Sequence, residues 1–200
     1  MMMDFTSIRT LPGGSFTGNT ANNNRYNGFE FADNVSNMTF TGNTANANGV
    51  NGIKFGDTVG AGTVISNNAA IGNEDDGFDF DRISGGLISN NTATGNLEDG
   101  FDFDHLITGG TIRNNTSSGN TESGFDFDAP IVSGSIFDNS ASTNGEDGFF
   151  VNIFGGGNTA NFSTNSSTGN TNNGYDVLIG APQTGTGTNT GSGNGSNDNY

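Results

Sequence analysis

The sequence predicts an all-β chain wound as a single parallel β-solenoid of about seven coils, each 23–26 residues long. Three observations predict it. A glycine followed by an aromatic or aliphatic residue returns at Gly28, Gly52, Gly77, Gly100, Gly124, Gly148 and Gly174. Asparagines stand four and nine residues before every one of these glycines. Nothing between the repeats has helical periodicity, and a repeat of this length without helices means stacked coils of short strands.

Taking each glycine as position zero, the elements follow in order. Position −12 is always Phe or Ile (Phe16, Phe40, Ile65, Ile88, Ile112, Ile136, Phe162), which predicts a first inward strand. Position −9 is Asn19, Asn43, Asn68, Asn91, Asn115, Asn139 and Asn165. Position −7 is always Ala or Ser, small enough to let the backbone close in on a narrow side. Position −4 is Asn24, Asn48, Asn73, Asn96, Asn120, Asn144 and Asn170. Asparagine suits a stacked turn because it tolerates left-handed backbone. Its amide can also donate to one neighbouring coil and accept from the other, a ladder through the stack. After the glycine, three coils read Gly-Phe-Asp-Phe-Asp, at 77–81, 100–104 and 124–128. That alternation has the period of a strand, Phe on one face and Asp on the other.

The phrase Asn-Asn-x-Ala-x-x-Asn-x-x-x-Gly-Phe-Asp-Phe, at 67–80 and 90–103, resembles the repeat of the right-handed parallel β-helix, the pectate-lyase-like superfamily. The resemblance spans roughly residues 13–179 and implies the handedness. It says little of activity, because that superfamily holds lyases, hydrolases, epimerases, tailspikes and adhesins, and fold does not give function.

Composition sets the outer bounds. Leu, Ile, Val and Phe make up about a fifth of the chain and the net charge is −16, values close to those of disordered chains. The fixed offsets of the apolar residues argue for order instead. Five basic residues against 21 acidic ones exclude nucleic acid as a partner and favour cations. No cysteine is present, so disulfides and thiolate metal sites are excluded. No apolar run is long enough for a membrane span. Met1–Met3 leads into Asp4 with no apolar stretch, so no secretory signal is visible, although the expected setting is extracellular or the cell surface. Residues 1–180 are expected to form the β-helix, and 181–200 a Gly/Thr/Asn-rich tail or a frayed eighth coil. No amphipathic capping helix stands before the first coil, so self-association through the solenoid ends, into a filament or layer, is expected.

Three constellations are candidates for function. Asp79, Asp102 and Asp126 fill position +2, and Asp81, Asp104 and Asp128 fill position +4. Neighbours in such a column lie about 4.8 Å apart, so like charges repel unless neutralised. Calcium is the natural neutraliser, because it takes clustered carboxylate oxygens. A solvated acidic surface is the alternative. The second constellation is catalytic: Asp102 and Asp104 as an acid pair, with Arg82 and His105 nearby, acting on a glycan. The hydrolase signatures of the superfamily are absent, which weighs against it. The third is the coil around Gly148, where Phe150 and Asn152 replace the Asp columns, Phe137 takes a usually polar position, and Ile153, Phe154 and Gly155–Gly157 follow. Either an outward apolar patch or a register reset explains it. The favoured reading is a non-catalytic structural solenoid with a cation-binding acidic face, and the alternative a carbohydrate-active or carbohydrate-binding β-helix.

Overall fold

The computed structural model describes residues 13–152, 160–178 and 189–195. Every described strand is parallel to its neighbours, and the strands form three sheets of seven strands each. The first sheet holds Ser15–Thr17, Thr39–Thr41, Val64–Ser66, Leu87–Ser89, Thr111–Arg113, Ser135–Phe137 and Asn161–Ser163. The second holds Thr44–Asn46, Ala69–Ile71, Thr92–Thr94, Thr116–Ser118, Ser140–Ser142, Ser166–Thr168 and Thr190–Ser192. The third holds Phe29–Phe31, Ile53–Val59, Phe78–Ile83, Phe101–Phe103, Phe125–Phe127, Phe149–Asn152 and Tyr175–Leu178. The all-β parallel solenoid expected from the repeat is what the chain forms, and the register pairs residues of equal position, such as Phe101 with Phe78 and Phe125.

The core is columnar. Phe78, Phe101, Phe125, Phe149 and Tyr175 stack face to face at centroid distances of 4.7–5.1 Å. Phe31, Phe55, Phe80, Phe103 and Phe127 form a second stack at 4.7–5.3 Å. Parallel register imposes this stacking, since each ring lies directly over its equivalent. A further apolar column, Val35, Val59, Ile83, Ile107 and Ile131, fills a corner past the third sheet and is linked by isolated parallel bridges.

Two asparagine ladders hold the turns. Asn73 donates from its backbone N–H (3.0 Å) and from Nδ2 (2.9 Å) to Asn96 Oδ1, and Asn96 does the same to Asn120 Oδ1. The position −9 ladder repeats this pattern, for example from Asn68 to Asn91 and from Asn91 to Asn115. One detail differs from the expectation that the ladder asparagines themselves take the left-handed backbone. The left-handed residue is the one just before each: Asn23, Ala47, Gly72, Gly95, Gly119, Thr143 and Gly169 before one ladder, and Gly18, Gly42, Asn67, Asn90, Asn114, Asp138 and Thr164 before the other. That residue turns the corner, and the ladder asparagine then points inward to its stacked neighbours. Beyond residue 181 the stacking continues among the described residues: Thr190–Ser192 pairs with Ser166–Thr168, Asn189 Oδ1 accepts from Asn165, and Asn194 Oδ1 accepts from Asn170.

Candidate cation-binding face

The outer face of the third sheet carries a column built by register alone. Glu30, Lys54, Asp79, Asp102, Asp126, Phe150 and Asp176 stand one above another at position +2. The face is less wet than alternation suggests. Asp79 is buried, and Asp102 and Asp126 are half-buried. Asp79 Oδ2 accepts from Asn51 Nδ2 at 2.6 Å and is in direct contact with Lys54 Nζ. Two carboxylate oxygens, Asp79 Oδ1 and Asp126 Oδ1, are buried with no hydrogen-bond partner. Such an atom carries its full desolvation cost.

A second acidic column lies beside it, just before the strand starts. Position −1 is Asn27, Asn51, Asp76, Asp99, Ser123, Asp147 and Asn173, and these form a third ladder, in two pieces that meet at Ser123, which the repeat phrase does not reveal. Asn27 Oδ1 accepts from the N–H of Asn51, Asn51 Oδ1 from Asp76, Asp76 Oδ1 from Asp99 at 3.0 Å, Asp99 Oδ1 from Ser123, and Asp147 Oδ1 from Asn173. Every residue of the column has a short side chain with an acceptor oxygen. That shared property was the available signal, masked by its place beside the glycine, where turn residues are ordinary.

Burial and crowding raise these carboxyls well above the usual range. Desolvation first, then the charge of Asp99, pushes Asp76 up to about 8. Desolvation and the charge of Asp126 push Asp99 to about 8. Asp126 rises to about 7 through desolvation and the neighbouring Asp128. Asp102 is pushed up furthest, by desolvation and by Asp76, Asp104, Asp99 and Asp79 around it. Desolvation also raises Asp79, opposed by Lys54, and raises Asp147, opposed by its bond from Asn173. Burial lowers the Lys54 ammonium while Asp79 raises it, and the net shift is upward.

The structure brings several of the expected residues together. Carboxylate oxygens of Asp79, Asp102 and Asp104 lie within 4.8 Å of one another, and so do ligand atoms of Asp81, Asp104 and His105. His105 Nδ1 is 2.8 Å from Asp81 Oδ1. Arg82 is directed instead to Asp57, 4.0 Å away. Asp128 is exposed at the edge of the group. In the coil around Gly148 the register is kept: Phe149 pairs with Phe125 and Phe150 with Asp126. Phe150 therefore stays in the outward column, half-buried, while Phe137 lies on the first sheet beside Arg113. The two phenylalanines sit on different sheets and make no common patch. Ile153, Phe154 and Gly155–Gly157 lie outside the described residues.

A family profile described as right handed beta helix region matches residues 6–126. No curated protein and no solved structure matches the chain.

Proposed function

This chain belongs to the right-handed β-helix family, and on that premise we propose that it is a non-catalytic structural solenoid whose third sheet holds a divalent cation along Asp102, Asp104, Asp126 and Asp128. The observation that carries the reading is Asp126 Oδ1, buried without a donor among carboxyls raised by burial and then by their neighbours' charge. Protons or a cation can neutralise such a group. The one lysine on this face, Lys54, is already engaged with Asp79. The donor set is all oxygen, which fits calcium rather than a softer metal. When bound, the cation would supply positive charge, and the strands hold the carboxylates in line to receive it. A repetitive grid is not a tailored cage. It suits the weak end of calcium affinity, about 10⁻⁴–10⁻³ M.

Thermal unfolding at pH 8 in EDTA and in millimolar calcium tests the proposal. At about 10 mM calcium, roughly 10 to 100 times such a dissociation constant, binding stabilises by about 1.4–2.7 kcal/mol, which is several degrees in Tm. Equal melting temperatures in EDTA, calcium and magnesium would sink it.

A further inference from the structure

Lys54 and Asp79 are register partners on adjacent strands of the third sheet. Lys54 is also the sole lysine in the sequence, the other four basic residues being Arg9, Arg25, Arg82 and Arg113. An ion pair alone accepts either residue type, but only the lysine amine can acylate. Its Nζ is in direct contact with Asp79 Oδ2. Asp79 is only 4 % exposed, and its Oδ1 has no hydrogen-bond partner. Around this pair stand an amide donor and two further carboxyls. Asn51 Nδ2 donates to Asp79 Oδ2 at 2.6 Å, and carboxylate oxygens of Asp102 and Asp104 lie within 4.8 Å of Asp79's.

We propose that Lys54 and Asp79 condense into an intramolecular isopeptide bond that clamps one coil covalently to the next. The chemistry closes without an oxidant or cofactor. One proton passes within the pair from the ammonium to the carboxylate, leaving an amine beside a carboxylic acid. Burial of Asp79 favours its protonated form, while the pairing itself holds the half-buried Lys54 ammonium above its ordinary value, so this transfer is the costly step of the reaction. The amine lone pair attacks Asp79 Cγ, and Asn51 Nδ2 holds the developing negative charge on Oδ2. The neighbouring Asp102 carboxyl gives its proton to the departing hydroxyl, Oδ1, and takes one back from the nitrogen. The Cγ–Oδ1 bond breaks, the Cγ–Nζ bond stays, and one water leaves for each amide formed. Fixed register supplies the proximity: two groups held in contact react as though at very high effective concentration. Exclusion of water from Oδ1 opposes the reverse hydrolysis. The products need no hydrogen-bond partner for Oδ1, because that atom is gone.

Mass spectrometry of the intact, natively folded full-length chain tests this. The expected mass is one water below that of the sequence, with no cleavage by lysine-specific protease after Lys54 and a branched peptide joining the segments around Lys54 and Asp79. Amine labelling of the denatured chain should then modify the N-terminus alone. Lys54→Arg and Asp79→Ala should each restore the full sequence mass, and Asp102→Asn should slow the loss of water at least tenfold in freshly refolded protein. Folded wild-type protein that keeps the full sequence mass, with Lys54 open to labelling after denaturation, overturns the proposal. Asp102 is shared with the cation site proposed above, so mass is read in EDTA and the calcium response on Lys54→Arg: loss of water without a calcium response, or the reverse, tells the failure of one reading from that of the other.

Discussion

Replacing Asn96 with alanine tests the ladder at its centre. Asn96 Oδ1 accepts two bonds, from the N–H and Nδ2 of Asn73, and its own Nδ2 donates to Asn120 Oδ1. Asn73 Nδ2 keeps a bond to Ala45 O, and Asn120 Oδ1 keeps the one from the backbone of residue 96. The Asn73 N–H keeps none. One buried N–H left without a partner costs about 1–3 kcal/mol, and three further bonds at about 1 kcal/mol each, the one from Asn96 Nδ2 to Ala70 O among them, bring the loss to about 4–6 kcal/mol. With a urea slope of about 2 kcal/mol/M, the unfolding midpoint falls by about 2–3 M. The matched control is Asn22→Ala, since Asn22 Oδ1 accepts a single bond, from the N–H of Asn46, at an exposed site. Its cost should stay below about 1 kcal/mol, because water replaces the lost partner. Urea unfolding followed by far-ultraviolet circular dichroism measures both variants. If Asn96→Ala shifts the midpoint no more than Asn22→Ala does, the argument that the ladder satisfies buried polar groups is wrong.

Further expectations concern glycine, pH and charge. A Cβ at Gly100 would collide with Ser117 Oγ and stand 2.7 Å from both Asn120 Nδ2 and Gly124 O, so Gly100→Ala should cost more than about 3 kcal/mol. Gly95 has φ +66° and nothing near its absent Cβ, so Gly95→Ala should cost only about 1–2 kcal/mol of backbone strain, as paired chemical unfolding curves would show. In cation-free buffer the pH dependence should be inverted relative to ordinary salt-bridged carboxylates. Asp76 and Asp99 at about 8 and Asp126 at about 7 hold protons in the folded state that the unfolded chain has already released. Their contribution is complete below about pH 4 and is lost as pH rises through 7–8. Melting temperature in EDTA should therefore fall steadily between pH 4 and 8; a rise over that range would contradict the burial of these groups. Asp126→Asn should raise the melting temperature at pH 8 in EDTA and shrink the calcium increment, and a variant responding to calcium like wild type would remove Asp126 from the site.

Much of the architecture is legible in the residues because parallel stacking turns each structural role into a column. The Gly, Phe and Asn columns mark the strand start, the core stacks and the ladders, and the structure places them so. The corner column from Val35 to Ile131 was harder to see, since the spacing from the glycine varies between six and seven residues. The candidate face was read less completely, for a physical reason. Alternation tells which way a side chain points but not how much of it is covered. Asp79, Asp102 and Asp126 do point outward, yet they are wholly or half buried; that desolvation raises all three, and charges of the position −1 column add to it at Asp102 and Asp126. The pairing of Lys54 with Asp79 was present in the position +2 column as the one cation among acids.

The two inner asparagine ladders give the rod a direction. In each, the backbone N–H and Nδ2 of one coil reach forward to the Oδ1 of the next, from Asn19 and Asn24 onward, while Nδ2 also reaches back to a main-chain carbonyl of the coil before, as from Asn43 to Phe16 O and from Asn48 to Ala21 O. A section taken between two coils would therefore show Oδ1 atoms on one cut surface of these columns only, and main-chain carbonyls awaiting Nδ2 on the other. Two such pieces fit together only in their original sense, and a coil could be added or removed without changing either surface. Length is therefore a free variable of this design and polarity is not: the molecule has a front and a back at every point along its axis, though it contains no described helix to supply a dipole.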